Sequence, residues 1–333
     1  MNAVLAPRPL VVLNQTGAEA DALVAAAGLP VALADDAAVP AWERAADADV
    51  LFTGPRNGWR NAPAQPPAGW PGRLQWVHVA SAGIDFFPPW LLQVPLVTCS
   101  RGVAAVPIAE YVITALLAHQ RDWDTLRVQG ADPWRETFAR VDHHLPGTLQ
   151  GRTLGIAGYG AIGRAVAVRA QALGMQVVAL RRGGAPVDGR GEGGEGVQAV
   201  GSIEQLLAAS DHLVLALPIT AQTYHLINAA TLAHARPGLH LVNIARGALV
   251  DQQALLHALD AGRLSGATLD VTDPEPLPDG HPLYHHPRVR ITPHVSWAAQ
   301  GAAEVTARKF VGNLQRFVAG LPLHDVVDRE RGY

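Results

Sequence analysis

The sequence predicts two α/β units, each a parallel sheet covered by helices on both faces, and three observations carry that expectation. Short apolar runs alternate with helix-like stretches along nearly the whole chain, as β-α-β crossovers require. At 333 residues the chain is longer than a single core usually serves. A strand-like run also ends in a glycine cluster, TLGIAGYGAIG over Thr153–Gly163, with a helix-like stretch behind it.

Taken in order, the first candidate strands are Leu10–Leu13, Val31–Leu33, Val50–Thr53, Trp76–Val79 and Leu96–Thr98, with an Ala-rich helix at Glu19–Ala27. A long apolar helix follows at Ile108–His119; Pro107 suits its first turn, where a missing N–H costs nothing. Trp123–Gly151, rich in Trp, Pro and Gly, reads as a loop. The alternation then restarts with strands at Thr153–Ala157, Gln176–Leu180, His212–Leu217, His240–Ile244, Gly266–Val271 and Arg288–Thr292. Six strands with crossovers suit a doubly wound nucleotide-binding unit. Gly183–Gly196 is low in complexity and reads as a surface loop, and Ala298–Ala319 reads as a closing helix.

Composition narrows the classes of partner. The net charge is −3, from 26 Lys and Arg against 29 Asp and Glu, so a nucleic-acid partner is not expected. A single cysteine, Cys99, allows no internal disulfide and suits a reducing compartment. The N-terminus lacks a basic leader before an apolar stretch, and no apolar run is long enough to span a bilayer. A cytoplasmic protein with no membrane partner is the expectation. No His/Cys cluster has metal-ligand spacing, so no metal is expected either.

The glycine cluster has the chemistry of a phosphate cradle. Gly158 permits the tight turn, Gly160 lets a pyrophosphate approach the backbone, and Gly163 lets the helix, expected to begin at Arg164, pack on the strand. The free N–H groups of a helix N-terminus then face the phosphates. The end of the next strand selects the cofactor. Asp or Glu there would hold the ribose 2′-OH of NAD; this chain has Arg181, 18 residues past Gly163, followed by Arg182, with no acid before Asp188. A guanidinium suits the 2′-phosphate of NADP(H), which is therefore favoured, with NAD(H) as the alternative. A solvated pair of arginines at a strand end would look the same in sequence.

Three loops after later strands carry ionisable residues. Leu241–Asp251 (LVNIARGALVD) holds Arg246. Thr268–Pro278 (TLDVTDPEPLP) holds Asp270 and Glu275. Ile291–Trp297 (ITPHVSW) holds His294. In doubly wound sheets ligands bind outside the carboxyl ends of the strands, so all three loops face the edge that holds the cofactor.

These motifs, with SAGID at Ser81–Asp85 and AEYV at Ala109–Val112, resemble the D-isomer-specific 2-hydroxyacid dehydrogenase family over about residues 75–297. The resemblance implies two doubly wound parallel-sheet domains with a cleft between them and hinge closure over the substrate. A flavodoxin-like substrate domain would take residues 1–101 and 296–333, and a Rossmann dinucleotide-binding domain residues 102–295. It implies hydride transfer between NADP(H) and C2 of a small 2-keto or 2-hydroxy acid. His294 would donate the proton, Glu275 would hydrogen-bond it and keep it charged, and Arg246 would bind the substrate carboxylate and polarise the carbonyl. Backbone N–H groups of Ala82 and Gly83 would grip the same carboxylate. Trp297 would either shape the substrate pocket or pack structurally. The cofactor would lie against Gly158, Tyr159, Gly160, Ala161, Ile162 and Gly163, with Leu217, Pro218, Thr223, Ile244, Ala245 and His294 around it, and Asp270 accepting from the nicotinamide amide. A homodimer through the helix at Ile108–His119 is implied too, although the same helix would serve equally as an internal core element.

Competing expectations separate on named features. Formate dehydrogenases of this fold carry Gln where this chain has Glu275, which disfavours them. Phosphoglycerate dehydrogenases often carry an added regulatory domain, for which 333 residues leave no room, while Arg181 points to the glyoxylate/hydroxypyruvate reductase type. A dinucleotide-sensing corepressor would keep the same Arg, Glu and His, so turnover of a 2-keto acid separates it from an enzyme.

Overall fold

The computed structural model describes residues 8–34, 40–180 and 196–329, so Arg181, Arg182 and most of the glycine-rich stretch after them lie outside the described residues. The chain divides into two compact units: residues as far as Val103 with those from Ala299 onward, and Ala104–Ala298.

The first unit holds a five-stranded parallel sheet of β1 (Leu10–Asn14), β2 (Val31–Ala34), β3 (Val50–Thr53), β4 (Trp76–Val79) and β5 (Leu96–Cys99), in the order β2-β1-β3-β4-β5. This is the flavodoxin-like order. Strand side chains alternate between two cores: Val12, Val50 and Phe52 pack with Phe310 on one face, and Leu13, Leu51 and Val77 pack with Trp59, Trp90 and Leu91 on the other. Helix α1 (Ala18–Ala26) lies against the chain's closing helix, Ala302–Val318, which returns to this unit after the second sheet is complete. Asp49, fully buried, ties down the start of this sheet. Its carboxylate accepts from Arg8, Arg73 and the Val11 N–H, so one charge joins three chain segments.

The second unit holds seven parallel strands, β6 (Thr153–Ala157), β7 (Gln176–Leu180), β8 (Val197–Val200), β9 (His212–Leu215), β10 (Leu239–Asn243), β11 (Leu264–Leu269) and β12 (Val289–Ile291). Their order is β12-β11-β10-β9-β6-β7-β8, with the direction of winding reversing between β6 and β9. The Rossmann order is thus present with one strand added. The strands bury nearly continuous apolar runs, since helices cover both faces. Leu213, Leu215 and Leu241 lie in one core; Leu154, Ile156, Val214 and Val242 lie in the other, beneath α2 (Ala105–Gln120) and α4 (Ala161–Ala172).

Two expectations are corrected. The span Trp123–Gly151 is not all loop: α3 runs over Ala131–His143. Its Trp134, Phe138 and Val141 follow helical spacing, but no α3 residue is buried, so no core contact marks it in the flanking composition. Six strands become seven because Val197–Val200 pairs with β7 at the sheet edge. Helix α2 packs one face into the core of this unit. Ile108, Ala109, Val112, Ala115 and Leu116 are buried, making it a core helix, while Val106 and Leu117 stay exposed.

Candidate active site

The carboxyl ends of β6, β9, β10, β11 and β12 carry the site of the second unit. At β6 the chain turns through Gly158 at φ 100°, and an added Cβ would stand 2.4 Å from the Ala216 carbonyl oxygen at the end of β9. Glycine is required there on both counts. Helix α4 begins at Ala161, three residues earlier than expected, with Gly160 as its N-cap. A Cβ on Gly163 would stand 2.4 Å from the Gly158 carbonyl oxygen, so this glycine permits the helix to close on the strand. Around Gly160, among the described residues, nothing but its own chain neighbours lies within 4 Å of an added Cβ. An empty shoulder beside the N–H groups of a 12-residue helix fits a pyrophosphate. Tyr159 is buried with its ring in the core beneath α4, and Ile162 packs against the same core, so both offer backbone to that shoulder.

Across the switch point, β9 leads into Leu217 and Pro218. The Thr223 hydroxyl donates to the Pro218 carbonyl at 2.8 Å and accepts from the Thr220 N–H at 2.7 Å, which closes this loop on itself. After β10, Asn243 shapes the next turn. Its amide donates to the Arg246 carbonyl at 2.8 Å, and its side-chain oxygen accepts from the Ala245 N–H at 3.1 Å. Ile244 is buried, so its side chain belongs to the core. Arg246 is half-buried, and one guanidinium nitrogen donates to the Ala245 carbonyl at 2.7 Å. Gly247 lets this loop meet its neighbour: a Cβ would fall 2.0 Å from the Thr272 carbonyl carbon. Arg246 and the loop of Glu275 are therefore pressed side by side.

His294 and Glu275 do come together. The imidazole Nδ1 lies 3.1 Å from Glu275 Oε2, and both side chains are about a quarter exposed, at 28% and 25%. Nδ1 is thus the ring nitrogen turned to the carboxylate. Glu275 Oε1 lies 3.4 Å from the Thr272 N–H. His294 itself sits in the left-handed region at φ 54°, unusual for a side-chain-bearing residue. Two neighbours hold that turn. Trp297 donates its indole N–H to the His294 carbonyl at 2.9 Å, and Asp270, on the end of β11, collects the rest. Buried Asp270 accepts from the Thr292 hydroxyl at 2.6 Å, the Val295 N–H at 2.9 Å and the Ser296 N–H at 2.9 Å, while its carbonyl accepts from the His294 N–H at 2.8 Å.

Residues Asn243, Gly247 and Thr292 act on the site without having been singled out in the sequence. Each lies inside a quoted motif, and the local signal for Asn243 is a short amide at a strand end. In the first unit, Ala82 and Gly83 follow β4, in a loop tied by the Ser81 hydroxyl to the Gly83 carbonyl at 2.6 Å and by the Ser100 N–H to the Ser81 carbonyl at 3.0 Å. Ala82 is exposed and Gly83 half-buried. Among the described residues, no group of three or more His, Cys, Asp or Glu side chains is placed to hold a metal, and no helix is long and apolar enough to cross a membrane.

A glycine turn after β6 and an imidazole–carboxylate pair in the loops after β11 and β12 stand at the carboxyl ends of one parallel sheet, the arrangement of a dinucleotide-binding α/β unit. Residues 113–296 match the domain described as D-isomer specific 2-hydroxyacid dehydrogenase, NAD binding domain. The glyoxylate/hydroxypyruvate reductase A of Serratia proteamaculans (strain 568) is 34% identical over 274 residues, which cover 79% of this chain and 82% of that protein. A solved D-isomer specific 2-hydroxyacid dehydrogenase family protein from Aeromonas salmonicida subsp. salmonicida A449 is 32% identical, with a TM-score of 0.75 over 97% of this chain and 99% of that one. Another from Xanthobacter autotrophicus Py2, solved in complex with NADPH and MES, is 28% identical, with a TM-score of 0.72 over 98% of this chain and all of that one, at 100%. The chain belongs to the D-isomer specific 2-hydroxyacid dehydrogenase family.

Proposed function

We propose that this protein reduces small 2-keto acids to 2-hydroxy acids with NADPH, as a reductase of the glyoxylate/hydroxypyruvate type. The observation that carries the proposal is the His294–Glu275 pair beside the Arg246 loop at the strand ends that follow the glycine turn. Ketone reduction needs a proton at oxygen and a cation to polarise the carbonyl. His294 Nε2 holds that proton, and Glu275 fixes the ring by accepting at Nδ1. Arg246 binds the substrate carboxylate through its planar fork. In the other unit, the Ala82 and Gly83 N–H groups are assigned to a carboxylate as well.

A bound nicotinamide dinucleotide supplies the hydride in one direction and takes it back in the other. Gly158, Gly160 and the first turn of α4, with Tyr159, Ala161, Ile162 and Gly163 contributing backbone, would hold its pyrophosphate. Leu217, Pro218, Thr223, Ile244 and Ala245 would line it. Three of the four lone-pair directions of Asp270 are taken, which leaves one on Oδ2 for the nicotinamide amide. Arg181 and Arg182 are assigned to the 2′-phosphate, in support of NADP(H) over NAD(H).

The test is a panel of glyoxylate, hydroxypyruvate and larger 2-keto acids, each assayed with both cofactors. NADPH is expected to give a kcat/KM higher by roughly tenfold or more, the value of one charge-assisted hydrogen bond. A preference for NADH would overturn the cofactor assignment. No turnover of any 2-keto acid would overturn the enzyme and leave a dinucleotide-sensing protein.

We further propose a homodimer. Trp134 and Phe138 on α3 are 55% and 62% exposed and stack on each other with centroids 5.4 Å apart. Exposed aromatics of this size suit a buried contact. Light scattering should give twice the chain mass, falling to the chain mass in Trp134→Asp; a monomeric wild type would contradict this.

A further inference from the structure

We infer that Tyr111, on core helix α2, is a positioning residue for the proton donor, acting through Thr292 and Asp270. This rests on the assignment of His294 as that donor. The Tyr111 phenol oxygen lies 2.6 Å from Thr292 Oγ1, and Thr292 Oγ1 lies 2.6 Å from Asp270 Oδ1. The direction of each bond follows from proton count. A carboxylate only accepts, so the single hydroxyl proton of Thr292 goes to Asp270, and Tyr111 must donate to Thr292. Asp270 in turn receives the N–H groups of Val295 and Ser296, immediately after His294.

These bonds form one path from a packed helix to the turn that aims the imidazole. That turn needs a clamp because His294 is held at φ 54°, a conformation that costs free energy for a residue with a Cβ. The Tyr111 ring is partly buried against the core that also holds Ile108 and Val112, so its hydroxyl is delivered from a rigid element. A hydroxyl–hydroxyl–carboxylate series also polarises along its length, which strengthens the last bond. Tyr111 thus influences where the proton donor points.

The experiment compares Tyr111→Phe, Thr292→Val, the double variant and Thr292→Ser with wild type and with His294→Asn. Tyr111→Phe is expected to lower kcat roughly threefold to tenfold, the value of one net hydrogen bond, with KM for the keto acid and affinity for NADPH nearly unchanged. Thr292→Val should do at least as much, the double variant should be no worse than Thr292→Val alone, and Thr292→Ser, which keeps the hydroxyl, should behave as wild type. In the protein without cofactor, amide exchange at Val295 and Ser296 should quicken in Tyr111→Phe and not in Thr292→Ser. Additive losses, unchanged exchange, or an unaltered kcat in Tyr111→Phe while His294→Asn is inactive would each overturn the role of Tyr111. Wild-type kcat in His294→Asn would overturn the proton-donor assignment, and this inference with it.

Discussion

Replacing His294 with asparagine is expected to lower kcat by about 10²–10⁴-fold, the usual contribution of a positioned general acid. That corresponds to about 3–5 kcal/mol of barrier. Asparagine is the informative choice because the residue sits at φ 54°, which Asn tolerates better than most side chains. An alanine variant would mix backbone strain with the loss of the proton. Affinity for NADPH should stay nearly unchanged, since the glycine turn at the end of β6 lies on a different strand from the His294 turn after β12. Stopped-flow hydride transfer and cofactor titration by fluorescence separate the two quantities. If NADPH affinity fell in step with kcat, His294 would be a cofactor residue rather than the proton donor. The bond at 3.1 Å to Glu275 also makes Glu275→Gln a milder variant, because the amide oxygen can still accept from Nδ1 but carries no charge.

Much of this site was legible because its chemistry is tied to local backbone needs. Gly158 requires a positive φ, Gly163 a close approach, and both requirements fall in the short turn that follows an apolar strand. His294 and Glu275 lie in loops directly after strands, where a parallel sheet must place them on one edge. The less legible features depend on distant partners. Asp270 bonds Thr292, Val295 and Ser296 across 22 to 26 residues, and no local pattern announces a carboxylate that organises another residue's turn. The resemblance alone assigned Asp270 to the cofactor amide; the structure gives it this structural load in addition. Helix α3 was hidden for the opposite reason. It buries nothing, so its apolar residues had no core to account for them, and the Trp, Pro and Gly around it read as loop. Strand β8 is short and has two exposed residues, Gln198 and Ala199, which leaves little apolar period to find.

Acid should cost this protein stability through histidines that the catalytic chemistry does not use. His119, His212 and His240 form a cluster beneath the second sheet, from α2 and the starts of β9 and β10. The His119 and His240 rings stack with centroids 3.9 Å apart, and Gly266 makes room, since a Cβ there would stand 2.9 Å from His119 Cε1. His212 Nδ1 faces His240 Nδ1 at 3.2 Å, a contact that works only when one nitrogen carries the proton and the other does not. Burial and the His119 imidazole push His212 down to about 4, burial with His119 and His212 pushes His240 well down, and burial with Arg290 lowers His119. Arg152 adds to the lowering at His212, while Asp211 there and Asp122 at His119 oppose it. In the first unit, burial and Lys309 push His78 down to about 3; its ring nitrogens meet Thr98 and Ser100. Unfolded imidazoles protonate near 6.5. Between that value and the folded ones the unfolded chain binds more protons, so stability is full above about pH 6.5 and falls as pH drops. By pH 5 His78 and His212 should each cost about 2 kcal/mol, with His240 adding to the loss in the second unit. Exposed carboxylates remain ionised through most of that window, which leaves the buried imidazoles as the main source of the slope. Urea unfolding at pH 7.5 and pH 5 should show the midpoint falling for both units. A flat stability over that range would mean that these rings already carry protons in the folded state, in conflict with the contact between His212 and His240.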